Sequence, residues 1–206
     1  IPSLNEPDAP PPAPQQFANW ETFKTEYRRR LGEKIKRNAI EQNHWQMDRY
    51  HMGGDPLVSC FVNDCLSRGK DIDCGGARYN WIMPSFVGLA NLADSFMSIR
   101  KLVFEEQSVS LEELAQALRD DFEGEPELYL QICNHISKYG NDNDEADALL
   151  SEITSWITAE TAKLTTYRGD RFIPSLFCWI KHEQLGTVTA ATPDGRRSGF
   201  PLGDGS

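Results

Sequence analysis

Lys70-Asp71-Ile72-Asp73-Cys74-Gly75-Gly76-Ala77-Arg78-Tyr79-Asn80-Trp81 interrupts a chain that otherwise reads largely as one helix after another. Two adjacent glycines allow a positive φ or the close approach of another chain segment, so the stretch reads as a built loop. On its C-terminal side Leu89, Leu92, Ala93, Phe96, Ile99 and Val103 recur at the spacing of one helix face. On its N-terminal side a short helix is predicted from Pro56 through Leu57, Cys60, Phe61 and Cys65, closed by Gly69. Farther out, Asn19 is a good cap for a helix carrying Trp20, Phe23, Tyr27, Leu31 and Ile35, and Gly53-Gly54 breaks that helix.

Downstream, Ser110-Leu111-Glu112-Glu113 is a capping box, opening a helix that buries Leu111, Leu114, Ala115, Leu118 and Phe122. Pro126 suits the first turn of another, with Leu128, Ile132, Cys133 and Ile136 inward. A last helix carries Leu149, Leu150, Ile153, Trp156 and Ile157. Only the final quarter reads as extended: Arg171 to Ile180 is aromatic and branched, Thr187-Val188-Thr189 is a second candidate strand, and Thr192-Pro193-Asp194-Gly195 is a turn. Residues 1–18 hold six of the twelve prolines and read as an extended connector. The class is therefore α/β or a mainly helical slice of it, and by length alone residues 19–206 could hold one domain or two small ones.

A net charge of −10 over 206 residues argues against a surface that grips nucleic acid or an anionic membrane. The one basic cluster, Arg28-Arg29-Arg30 with Lys34, Lys36 and Arg37, reads as a solvated helix face. No stretch reaches the roughly 18 apolar residues a membrane span needs. Five cysteines without paired spacing fit neither a disulfide framework nor a zinc site. Cys60, Cys133 and Cys178 stand among apolar neighbours and are expected to be small core residues in a reducing, cytoplasmic setting. Asp142 to Asp147 resembles the opening of a calcium loop, but Ile153 stands where the closing glutamate belongs, so the run is expected to cap the helix that follows. His182-Glu183 lacks the second histidine of a zinc-protease helix. Composition and spacing name no reaction.

Four stretches, in order, resemble the pyruvate formate-lyase-like domain of glycyl radical enzymes. They are Gly75-Gly76-Ala77-Arg78-Tyr79-Asn80 with Gly88 to Ser95, Lys101 to Glu106 leading into Asp121-Phe122-Glu123-Gly124, Lys138 to Asp144, and Thr192 to Arg197 through Pro201 to Ser206. The resemblance covers about residues 55–206. It implies a segment of a ten-stranded α/β barrel made of two five-stranded parallel halves. It also implies a lyase in which a radical stored on a backbone glycine passes to a cysteine, whose thiyl takes a hydrogen atom from a small substrate. The implied partners are an activating enzyme, using an iron–sulfur cluster and S-adenosylmethionine, and a second copy in a homodimer.

Neither the family's Gly-Cys-x-Glu type motif nor its Arg-Val-x-Gly-Tyr type motif occurs here. By family order the first is expected upstream of Ile1 and the second downstream of Ser206. No catalytic residue and no bound cofactor or metal is therefore assigned, and the chain alone is expected to be inactive. What the resemblance implies instead is wall and scaffold: Arg171 to Trp179 is similar to a barrel strand facing substrate, with Ile173 and Phe177 as substrate-binding candidates. Diol-dehydratase-like members tend to carry tyrosine at the position of Phe177, and sulfonate-cleaving members an arginine at that of Ile173. Both residues could equally be barrel core. Arg78, Asp194 and Arg196 read as polar struts or as substrate contacts. The competing reading is a non-catalytic helical interaction module derived from the same fold.

Overall fold

Asn19 starts the first helix, α1 (Trp20–His51), by a reciprocal cap: its side chain accepts from Thr22 N–H at 3.0 Å, and the Thr22 hydroxyl accepts from Asn19 N–H at 3.2 Å. The computed structural model describes residues 17–177 and 180–204, so the proline-rich connector assigned to residues 1–18 lies almost wholly outside them. Two short helices follow, α2 (Pro56–Ser59) and α3 (Cys65–Arg68), then a 3-10 turn over Ile72–Cys74. The single helix expected from Pro56 to Gly69 is thus divided, with Asp64 at φ 77 beginning the second piece. In the loop the two glycines divide the work. Gly75 takes φ +81, and a Cβ on Gly76 would run into the carbonyl oxygen of Lys70.

Helix α4 (Leu89–Ile99) is the centre of the core. Leu89, Ala93, Phe96, Met97 and Ile99 are all buried, and a helix apolar on this much of its girth has to be covered on several sides. Tyr27 meets Phe96 edge-on at 4.9 Å, and Trp20 does so at 5.4 Å, which seats the first turns of α1 on α4. A π-helical turn, Arg100–Glu105, continues α4, with Glu106 N–H donating to Lys101 O at 2.8 Å and Leu102 fully buried. Then come α5 (Leu111–Arg119), opened by the Ser110/Glu113 box, and α6 (Pro126–His135), opened by its proline. Helix α7 (Asp144–Thr161) is capped by Asn143, which accepts from Ala146 N–H at 3.1 Å, with Asp144, Glu145 and Asp147 in its first turn. It buries Leu149, Leu150, Ile153, Trp156 and Ile157 against α4 and α1.

Residues 82–86 and 171–175 run parallel, side by side. Ile82 N–H donates to Arg171 O at 3.3 Å and Ile82 O accepts from Ile173 N–H at 2.9 Å; farther on, Ser175 N–H donates to Pro84 O and Phe86 N–H to Ser175 O, both at 2.9 Å. The bridges Ile82↔Phe172 and Ser85↔Ser175 fix the register. Everything between the two segments that is regular is helical, which is the crossover a parallel pair requires. Among the described residues this ladder is too short to count as strands, so the α/β character rests on it alone.

The extended reading of Arg171 to Ile180 holds for 171–175, while Cys178 and Trp179 lie outside the described residues. Thr187-Val188-Thr189 is not a strand. It ends helix α8 (Lys181–Thr187), whose Gly186 is pressed against Phe200 and Pro201. Cys60 and Cys133 are exposed rather than core, and among the described residues Cys65 is the buried cysteine. No helix among the described residues is long and apolar enough to cross a membrane.

Candidate functional site

The stretches that stand far apart in sequence meet at one polar knot. Asn91, on α4, donates to Asp194 Oδ2 at 2.5 Å and accepts from Gly203 N–H at 2.6 Å, so one amide ties both late turns to the central helix. Lys138 Nζ donates to Asp194 O at 2.8 Å, and Tyr139 N–H to Asp94 Oδ1 at 2.7 Å. Burial raises the Asp94 carboxyl above its ordinary range, opposed by the Tyr139 N–H and the nearby Lys138 charge. Burial likewise pushes the Lys138 ammonium down against the pull of Asp94 and Asp194. Arg196, only 9% exposed, donates to the carbonyls of Thr189, Ala190, Arg197 and Phe200 and to the Thr192 hydroxyl. Asp194 accepts from the same hydroxyl. Every donor of that guanidinium is spent inside the chain, so Arg196 and Asp194 are struts.

Arg78 is a strut as well. Its Nε and Nη2 grip the two oxygens of Asp64 at 3.1 and 3.0 Å, and this fork holds the Asp64 carboxyl below the usual range. Arg68 joins Asp64 at 3.2 Å and reaches Ala77 O at 2.9 Å, so the twin-glycine loop is clamped from two sides. In the basic cluster of α1, Arg29 and Arg30 pair with Glu26 at 2.7 Å and Arg37 with Glu41 at 3.3 Å within the helix, while Arg28 lies over the Trp156 ring.

The parallel ladder presents two unlike faces. Phe172 is buried, and its face is shared by its partner Ile82, by Pro84 and by Phe86, which packs against the helical core. By alternation the other face carries Trp81, Met83 and Ser85 on one segment and Arg171, Ile173 and Ser175 on the next. On the first segment the exposures follow that alternation, with Trp81, Met83 and Ser85 exposed and the residues between them half-buried; on the second, Arg171 is exposed and Phe172 buried, while Ile173, Pro174 and Ser175 are all half-buried. An independent contact fits the register, since the Arg171 guanidinium lies over the Trp81 ring, 5.6 Å from its centroid. Phe177, two residues past Ser175, is 64% exposed. Ile173 is therefore on the open face of the ladder and Phe177 is exposed at its end, whereas Arg78, Asp194 and Arg196 are engaged in the framework. Trp81, Met83 and Ser85 were not foreseen, because Trp81 to Phe86 is non-polar on both faces but for Ser85 and so carries no alternation to mark the open face. Among the described residues no cluster of three or more His, Cys, Asp or Glu could hold a metal.

Residues 6–186 match the model of the family described as pyruvate formate lyase-like. This chain belongs to the pyruvate formate lyase-like family of glycyl radical enzymes. It is 37% identical to a (2S)-3-sulfopropanediol dehydratase from Klebsiella oxytoca, over 72% of this chain and 18% of that protein. A B12-independent glycerol dehydratase from Clostridium butyricum, solved with glycerol bound, superposes with a TM-score of 0.86 at 33% identity, covering 92% of this chain and 24% of that one. A glycyl radical enzyme from Archaeoglobus fulgidus gives a TM-score of 0.86 at 28% identity, over 93% and 24%. The chain spans about a fifth of the length of the curated relatives it matches. For a pyruvate formate lyase-like chain the polar knot acquires a meaning: the stretches that carry the family likeness are those that bolt α4, the segment after α6 and the two late turns together.

Proposed function

We propose that this chain is part of a glycyl radical lyase, where it supplies wall and scaffold around a small substrate. The complete enzyme would cleave a C–O, C–S, C–N or C–C bond after a thiyl radical removes a substrate hydrogen atom. The observation that carries this reading is the two-faced parallel ladder. In an α/β barrel the crossover helices pack outside the parallel strands and the opposite strand face looks inward. Here Phe86, on the Phe172 side, packs against the helical core, which supports reading the Ile173 side as the interior, with Phe177 as the next substrate-facing side chain. The chain contributes neither the thiyl cysteine nor the radical glycine, so alone it is inactive. An iron–sulfur and S-adenosylmethionine activating enzyme, a homodimeric assembly and an anaerobic cytoplasmic setting complete the proposal.

Phe177→Tyr in the full-length enzyme tests it. The substitution keeps most of the ring and adds a hydroxyl. Placed against substrate without a partner, that group costs on the order of 1–3 kcal/mol, about five- to 150-fold in kcat/KM. The expected result is that loss with the thermal midpoint nearly unchanged. Unchanged kinetics with a lowered midpoint would make Phe177 plain packing and remove the pocket assignment.

A further inference from the structure

The side chains of Trp81 to Phe86 cannot choose their own register, because apart from Ser85 they are non-polar on both faces. Pro84 weakens the pairing further, since it has no N–H to donate toward Ile173 O in the middle of the ladder. Another device has to hold the two segments in step, and it stands just before the second of them. Residues 166–170 close a tight turn in which Thr166 N–H donates to Asp170 O at 2.7 Å and Gly169 N–H to Thr166 O at 2.9 Å. From that turn the Asp170 carboxylate reaches both segments. Its Oδ2 accepts from Asn80 N–H at 2.9 Å, two residues before Ile82, and its Oδ1 accepts from Arg171 N–H at 2.9 Å, where the second segment begins. Thr166 supports the grip: its hydroxyl accepts from Asp170 N–H at 3.1 Å and donates to Asn80 O at a long 3.5 Å. Asn80 is buried, and its own amide is fixed on Ala77 O at 2.9 Å. All of these partners lie within residues 77–171, so the clamp needs nothing from the rest of the enzyme.

We infer that Asp170 is a positioning residue for the proposed lyase reaction: one carboxylate sets the register of the parallel ladder, and thereby which side chains its open face offers. The inference rests on the reading of that face as the substrate side. Two backbone N–H groups on different segments need two acceptor oxygens on one short stem, and a carboxylate supplies both. Asparagine would keep one acceptor and turn an NH2 group toward the other N–H. Losing the clamp matters beyond its two hydrogen bonds, because a one-residue slip sends every side chain of a segment to the other face. Ile173 would then leave the open face and Phe172 would enter it.

The test is hydrogen exchange on the full-length, radical-free enzyme, read by mass spectrometry on peptides from the ladder and from α4 and α7. Asp170→Ala should speed exchange in peptides spanning 80–86 and 171–175 by roughly tenfold or more, while α4 and α7 stay at wild-type rates. Asp170→Asn, with one acceptor left, should fall between, and it carries the same measurement if the alanine variant does not fold. In the activated enzyme Asp170→Ala should lower kcat/KM by about tenfold or more, and Phe177→Tyr added to it should cost less than it does alone, because the ring it alters is already misplaced. Ladder exchange that is unchanged, or that rises equally in α4 and α7, overturns the clamp. Kinetic losses of the Asp170 and Phe177 variants that simply multiply show that Asp170 does not act through this face, and overturn its positioning role. A ladder loosened alone, with Phe177→Tyr silent in the kinetics, upholds the register assignment and removes the pocket reading.

Discussion

Arg196 shows what a single residue does in this chain. Five acceptors from residues 189 to 200 converge on one guanidinium that is 9% exposed. They sit around it at positions only a planar fork reaches. Lysine has three donors on one nitrogen, so Arg196→Lys keeps the charge but strands carbonyls in the turn. Hydrogen bonds to a charged donor are worth about 1.5–3 kcal/mol, and their losses do not add. The expected loss is therefore about 3 kcal/mol of stability in the full-length enzyme, seen as a lower thermal midpoint, with kcat/KM unaffected at a temperature where the variant stays folded. A selective loss of kcat/KM at an unchanged midpoint would return Arg196 to the substrate. Gly76 shows the same constraint without charge, since any side chain there meets the Lys70 carbonyl.

At the scale of elements, the seat of α1 on α4 runs through aromatic edges, and its most telling member is Tyr27. Burial raises its phenol from an ordinary 10 to about 12. The sign follows from linkage. Below pH 10 the phenol is neutral in both states and the favourable burial is fully present. Between pH 10 and 12 the unfolded chain ionises first, and about 3 kcal/mol of stability drains away. Tyr27→Phe keeps the ring against Phe96 and removes the proton. Its thermal midpoint should therefore fall less than that of wild type between pH 10 and 12; parallel curves would show that Tyr27 is not buried as described. The helices themselves were legible because their signals are local: Asn19, Ser110 with Glu113, and Asn143 each cap within one turn, and Pro126 stands at a first helical position. The ladder was only half legible because pairing is a long-range event. Residues 171–175 carry β-forming side chains, but 82–86 contain Pro84 and read as an interrupted apolar run. The β-branched Thr187 and Val188 went the other way, because packing of Gly186 on Phe200 and Pro201 overrides local propensity. Cys60 and Cys133 misled for a related reason: apolar neighbours in sequence do not make a residue buried in this chain. For the candidate site, Ile173 and Phe177 came from family likeness, while Trp81, Met83 and Ser85 needed the register.

As a whole molecule, the chain has a complete helical core and an incomplete outer skin. Phe96, Leu102, Ile132, Ile153 and Ile157 are almost wholly buried, so the side built around α4 is finished. Elsewhere Leu57, Phe61, Leu66, Met83 and Phe177 are each more than half exposed, and Trp81 is 41% exposed. An apolar surface of that extent on a monomer marks an interface or an aggregation hazard. The ladder adds to it, since among the described residues the Thr165↔Arg171 bridge is the one further pairing on its edges, and open strand edges can recruit another chain. A parallel pair of this length is not an independent sheet, and in the proposed barrel its neighbours on both sides come from the rest of the enzyme. The 206-residue chain by itself should therefore bind a hydrophobic dye strongly and self-associate as concentration rises. Its helical signal should outlast the ladder on heating, so that circular dichroism and dye release follow different curves. In the full-length enzyme the same face should be silent to the dye and the melt of this region should join the rest. A monomeric chain with one sharp, reversible transition common to both probes would show that residues 17–204 form a self-sufficient domain, and the assignment of the open face to a barrel interior would fall with it.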